Sequence, residues 1–144
     1  MLRHMAHDDW LTHLGQVPLF ADCSRKQLQA VAAATTELDV PEGKVFVREG
    51  EPGHEAFVII EGTAGVSRGG QQIATLKAGD VVGELAPLTG GMRTATVVAE
   101  SKMLVLVIGQ REFGSLLDEV PGLAVRVLHN LASRMVELEQ LAFK

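Results

Sequence analysis

The 144-residue chain is 47% hydrophobic and 22% charged, with a formal net charge of −5, a size suited to one domain burying about two thirds of its unfolded surface. Its basic residues are scattered along the chain, adjacent only at Arg25-Lys26, which argues against direct nucleic-acid binding. No apolar run of about eighteen residues is present and no signal-peptide pattern either, so a cytoplasmic location without a membrane partner is expected.

In chain order, Trp10, Leu11 and Leu14 fall on one helical face, and Val17-Pro18-Leu19-Phe20 breaks that helix, since a helix does not run through Pro18 without losing a hydrogen bond. The single Cys23 can form no internal disulfide; beside a helix start it reads as a partly buried, inert thiol rather than a reactive one. Ser24 followed by Gln27 is a capping-box signature, and Leu28, Val31, Ala32 and Thr35 continue a helical stripe that should end near Glu37. Residues 1–39 are therefore expected to form an N-terminal helical part of a single domain, 1–144.

From Val40 the pattern turns to short β-type runs: Lys44 to Arg48, Ala56 to Glu61, Ala64 to Arg68, Gln72 to Leu76, Arg93 to Ala99 and Lys102 to Ile108. Glycine-bearing turns lie between them, at Pro41-Glu42-Gly43, Gly50 to Gly53, Gly62, Gly69-Gly70 and Gly79-Asp80. Regular short strands with such turns predict an antiparallel sandwich or barrel over residues 40–109. Residues 110–144 are expected to be helical again. From Val120, Leu123, Val127, Leu128, Leu131, Met135, Leu138 and Leu141 repeat at helical spacing, with Pro121 and Gly122 in the first turn.

The stretch most suggestive of chemistry is 83–96, Gly-Glu-Leu-Ala-Pro-Leu-Thr-Gly-Gly-Met-Arg-Thr-Ala-Thr. It resembles the phosphate-binding cassette of cyclic nucleotide-binding domains through Gly83, Glu84, Leu85, Ala86, Arg93, Thr94, Ala95 and Thr96. The phrase Glu49-Gly50-Glu51-Pro52-Gly53, followed by Ala56 to Gly62, resembles that family's second recognisable stretch. The resemblance covers nearly the whole chain and implies an α+β, mainly β fold: an eight-stranded antiparallel jelly-roll β-barrel flanked by N-terminal helices and a C-terminal lid or dimer helix.

A cyclic phosphodiester carries one negative charge, so it needs a fixed cation and close donors. Arg93 offers a planar fork of donors. Leu85 to Leu88 reads as the first turn of a short helix, with Pro87 where its missing N–H is harmless and the Ala86 amide free to meet an anion. Gly83 lets the backbone approach closely. Glu84 cannot face a phosphate, and the resemblance gives it the ribose 2′-hydroxyl. Thr94 suits phosphate or a syn guanine; cAMP is favoured over cGMP. Aligned through Pro121, Arg134 falls near Glu84, and Leu138 and Glu139 fall near the base.

The implied function is a cyclic nucleotide sensor that signals through its C-terminal helix, with a homodimer through that helix and a protein effector as candidate partners, and with no cofactor and no metal. Two alternatives stand beside it. One is a nucleotide-insensitive domain of the same fold acting as a protein-interaction module. The other is a cupin-type enzyme, which needs clustered metal ligands. Of His4, His7, His13, His54 and His129, no two share a strand, and no catalytic triad is legible, so no enzymatic activity is expected.

Overall fold

The computed structural model describes residues 7–83 and 91–142, with the side chains of 7–10, 134 and 137–142 outside the description. Helix α1 (His7–Gln16) leads through a 3-10 turn (Pro18–Phe20) to α2 (Arg25–Ala33). Strands β1 (Thr35–Val40), β2 (Val45–Val47), β3 (Ala56–Glu61), β4 (Ala64–Arg68), β5 (Gln71–Leu76), β6 (Val81–Val82), β7 (Thr96–Ala99) and β8 (Met103–Ile108) follow, then α3 (Gln110–Glu119) and α4 (Leu123–Ala142).

Local chemistry explains the N-terminal elements. Pro18 opens the 3-10 turn, where no N–H is required, and Leu19 and Phe20 are buried beneath it. The capping box is formed: the Gln27 N–H donates to Ser24 Oγ (3.1 Å) and the Ser24 N–H donates to Gln27 Oε1 (2.8 Å). Cys23 is half-buried against the helical core, and burial pushes its thiol above the ordinary value, which disfavours the reactive thiolate.

Helix α2 stops at Ala33 rather than near Glu37. Thr35 instead begins β1, which pairs with β8 from Thr35↔Ile108 to Val40↔Met103. The Thr35 hydroxyl donates to the Ala32 carbonyl (2.8 Å), covering one of the acceptors left open at the helix end.

The strands form two four-stranded antiparallel sheets, ordered β1-β8-β3-β6 and β2-β7-β4-β5. Among the described residues no ladder joins the two. The first sheet is a middle layer. Ala56, Val58, Ile60, Leu104, Leu106 and Ile108 face the helices, meeting Phe20, Val31, Phe113, Leu116, Leu123 and Val127. Their alternates Phe57, Ile59, Met103 and Val105 face the second sheet, meeting Val47, Ala64, Val97 and Ala99. Burial on both faces is why β3 and β8 read as unbroken apolar runs instead of alternating ones.

The C-terminal helix begins at Leu123, after Gly122, whose φ of +85° lies in the left-handed region and outside any helix. Pro121 and Gly122 thus form the joint between α3 and α4, not the first turn expected of them. Leu123 and Val127 plant the start of α4 in the helix-side core, with Leu131 partly buried above them. Arg126 ties it laterally: its guanidinium forms an ion pair with Asp22 and Nη1 donates to the Pro18 carbonyl (2.9 Å). A cavity of ≈ 630 Å³ opens beside the helix, lined by Leu19, Asp80, Val81, Val125 and His129 among others. Among the described residues no helix is long and apolar enough to cross a membrane.

Candidate functional site

The site is built around Arg93, and its backbone placement comes first. Strand β7 begins at Thr96, so Arg93 lies before it, ahead of a bend at Thr94 and Ala95, instead of opening the strand as expected. The loop after β2 holds it there. Met92 bridges Pro52, the Arg93 N–H donates to the Glu51 carbonyl (2.8 Å), and the Gly50 N–H donates to the Arg93 carbonyl (2.9 Å). The Glu49–Gly53 phrase, which reads as hairpin chemistry, is therefore the seat of Arg93.

The side chain runs inward and is only 9% exposed. Nη1 donates to the Glu55 carbonyl (2.9 Å), and the guanidinium carbon lies 5.6 Å from the Phe57 ring centroid, within cation–π range. Phe57 is in turn braced edge-on by Phe46, at 5.6 Å between centroids. Burial pushes the Arg93 pKa down while the Glu55 charge acts in the opposite direction; an arginine remains cationic regardless.

Two glycines make room for it. A Cβ on Gly53 would overlap the Arg93 side chain, within 2.7 Å of Cδ and closer still to Cζ and Nε. At Gly83, which has a φ of +75°, a Cβ would sit 2.5 Å from Arg93 Nη1 and 3.0 Å from the Glu55 carbonyl oxygen. The fold thus brings Gly83 and Arg93 together, as their shared motif requires. Glu84, Leu85 and Ala86 lie outside the described residues.

Downstream, Thr94 is exposed and Ala95 half-buried. The Thr94 carbonyl accepts from Arg68 Nε (3.0 Å), and the Thr96 hydroxyl accepts from the Glu49 N–H (3.0 Å). Arg134, Leu138 and Glu139 lie on α4, but their side chains fall outside the description. Gly53, Glu55 and Phe57 are site residues that sequence reasoning missed. Gly53 and Phe57 fall within the quoted second stretch, though with no role attached there, and Glu55 left no signal.

The chemistry of this arrangement is that of a fixed cation. A guanidinium carries five N–H donors; among the described residues Arg93 gives a hydrogen bond to the Glu55 carbonyl and lies by the Phe57 ring, which leaves it positive, largely buried and aimed. That suits a small anion, for which charge-assisted pairs in a dry setting are strong.

Residues 37–120 match the family model described as the cyclic nucleotide-binding domain. The chain belongs to the cyclic nucleotide-binding domain family. A cAMP-dependent protein kinase regulatory subunit of Hypocrea atroviridis is 33% identical over 113 residues, 78% of this chain and 24% of the relative. Among solved structures, the Thermus thermophilus catabolite activator protein superposes with a TM-score of 0.79 at 26% identity, covering 88% of this chain and 63% of the other. The regulatory domain of Toxoplasma gondii PKA, solved with cAMP, gives 0.77 at 25% identity, covering 88% and 49%. The chain spans about a quarter of the length of the curated relative from Hypocrea. Domains of this family are regulatory and non-enzymatic.

Proposed function

We propose that this cyclic nucleotide-binding domain takes cAMP in preference to cGMP on its jelly-roll scaffold and signals through α4. The observation that carries the reading is the buried Arg93 guanidinium, oriented by Glu55 and Phe57 and admitted by Gly53 and Gly83. In this assignment the cyclic phosphate docks on Arg93, the Ala86 amide and Thr94. Gly83, Leu85 and Ala95 shape the approach, and Glu84 takes the ribose 2′-hydroxyl. Arg134, Leu138 and Glu139 serve the lid and the base. The similarity to a cAMP-dependent protein kinase regulatory subunit and to a regulatory domain solved with cAMP supports the choice of nucleotide.

The case for α4 as the output rests on its anchoring. Leu123 and Val127 fix its first turns, whereas Val125 between them and Leu128, Met135 and Val136 farther along are exposed, and the neighbouring cavity gives the helix room to shift. Val125, Leu128 and Met135 stand three and then seven residues apart, as on one seam of a helix, so a second copy of α4 or a protein effector is the assigned partner. A ligand shifts such an element only by its differential affinity for two states.

Calorimetric titration with cAMP and, separately, cGMP tests the assignment, with Arg93→Ala as control. Saturable binding is expected, tighter for cAMP, with a loss of about 2 to 5 kcal/mol in the variant, as for removing one partner of a buried charged contact. Absence of heat from either nucleotide into the high micromolar range would replace this reading with that of an interaction module.

A further inference from the structure

Both ladders that hold β7 stop short of Arg93. The β4·β7 pairing ends at Ser67↔Thr96 and the β2·β7 pairing at Val47↔Val97, leaving Arg93, Thr94 and Ala95 beyond the sheet. Three hydrogen bonds, each between a side chain and the backbone, continue the lattice past that point. The Arg68 Nε–H donates to the Thr94 carbonyl (3.0 Å), the Glu49 N–H donates to the Thr96 hydroxyl (3.0 Å), and Glu49 Oε1 accepts from the Gly69 N–H (2.9 Å). Arg68 and Gly69 are chain neighbours, so these bonds close a circuit through the β2–β3 loop, the β4–β5 turn and the approach to β7. That circuit encloses the Arg93–Ala95 segment, whose other flank is held by Gly50 and Glu51.

We propose that Glu49 and Arg68 are positioning residues for the Arg93 site: the Arg68 side chain holds the Thr94 carbonyl directly, and the Glu49 carboxylate ties the turn that carries Arg68 to the loop that seats Arg93, so that together they fix the backbone that aims the guanidinium. Among the described residues neither makes a hydrogen bond or ion pair to the Arg93 side chain. Both are exposed, so their removal leaves the core intact and acts through the orientation of Arg93 and Thr94. The inference rests on the reading of that site as the nucleotide site.

The test uses the full chain with cAMP as probe, comparing E49A, E49Q, R68A and R93A, together with amide hydrogen exchange of the ligand-free proteins. E49A and R68A are expected to weaken cAMP binding roughly 3- to 10-fold, the scale of one hydrogen bond, while E49Q, whose amide oxygen still accepts from Gly69, stays within about twofold of the native protein. Exchange at Thr94 and Ala95 should rise in E49A and not in E49Q. Native affinity in E49A, with R93A defective, overturns the positioning role and leaves the nucleotide reading standing. If the native protein fails to bind, or R93A binds as well as it, the nucleotide reading falls instead. The exchange rates then decide whether Glu49 holds this backbone, and unchanged rates in E49A overturn the inference.

Discussion

Gly53 lies against the Arg93 side chain so closely that a single added carbon would overlap Nε and Cζ. The nearest atoms belong to a side chain that is itself buried and tied to the Glu55 carbonyl. Gly53→Ala should therefore displace the guanidinium before it disturbs the sheets. Affinity for cyclic nucleotide is expected to fall at least tenfold, about 1.4 kcal/mol, with a smaller change in thermal midpoint. Calorimetry beside a melting curve checks this, and full affinity in the alanine variant would show that the guanidinium does not need its observed position.

The tie between Arg126 and the N-terminal turn gives a second prediction. The Arg126 side chain is 32% exposed and that of Asp22 80% exposed, so solvent screening holds the ion pair's worth below about 1 kcal/mol. Arg126→Ala also removes the bond to the Pro18 carbonyl, whereas Asp22→Asn spares it. Faster amide exchange along the first turns of α4 is expected in R126A and a weaker effect in D22N. Equal exchange in all three proteins would mean that Leu123 and Val127 alone set the helix.

Much of this architecture is legible in the residues, and the parts that are not have identifiable causes. The Ser24–Gln27 capping box and the buried strands β3 and β8 carry local signals that neighbours cannot easily override. Strand β1 does not. Glu37 and Asp39 occupy positions paired to Leu106 and Leu104, so charges stand where a strand pattern would show apolar residues. Among the described residues, buried Glu37 Oε1 and Asp39 Oδ2 have no hydrogen-bond partner. Six cross-strand pairs with β8 specify that strand, and such nonlocal pairing leaves no trace in a short window. Strand β6 has two residues, Val81–Val82, too few for any period. At the site, Arg93 and Gly83 stood out by motif. Glu55 acts through its backbone carbonyl, which any residue supplies, and Phe57 looks like core.

The division of α4 into a planted base and an exposed seam predicts opposite outcomes for two leucines. Leu123 is 2% exposed and Leu128 63% exposed. Leu123→Ala should cost about 2 to 5 kcal/mol, through lost burial and the cavity left behind. Leu128→Ala should stay within about 0.5 kcal/mol. Urea denaturation at low protein concentration measures both. A large loss at Leu128 under those conditions would mean that this face is covered within one chain.

Cys23 supplies a pH test. Its folded-state pKa is raised by burial, so the native protein keeps the thiol proton at pH values where the unfolded chain releases it. That contribution is complete below the unfolded value, about 8.5, and is lost as pH rises through the folded one. The stability of the native protein relative to Cys23→Ala should therefore decline above about pH 8.5. Alkylation by iodoacetamide at neutral pH should be slower than for a free thiol. Rapid labelling of the folded chain would place the sulfur in a more open setting.

Strand β3 has no wet side. Phe57 touches the guanidinium on one face, while its chain neighbours Ala56 and Val58 sit in the cluster that anchors Leu123 and Val127 on the other. The Arg93 guanidinium and the helix root are thus back-to-back tenants of a single party wall. A displacement of Phe57 has no solvent into which to dissipate, so a message from nucleotide to helix would need to cross only the thickness of one strand.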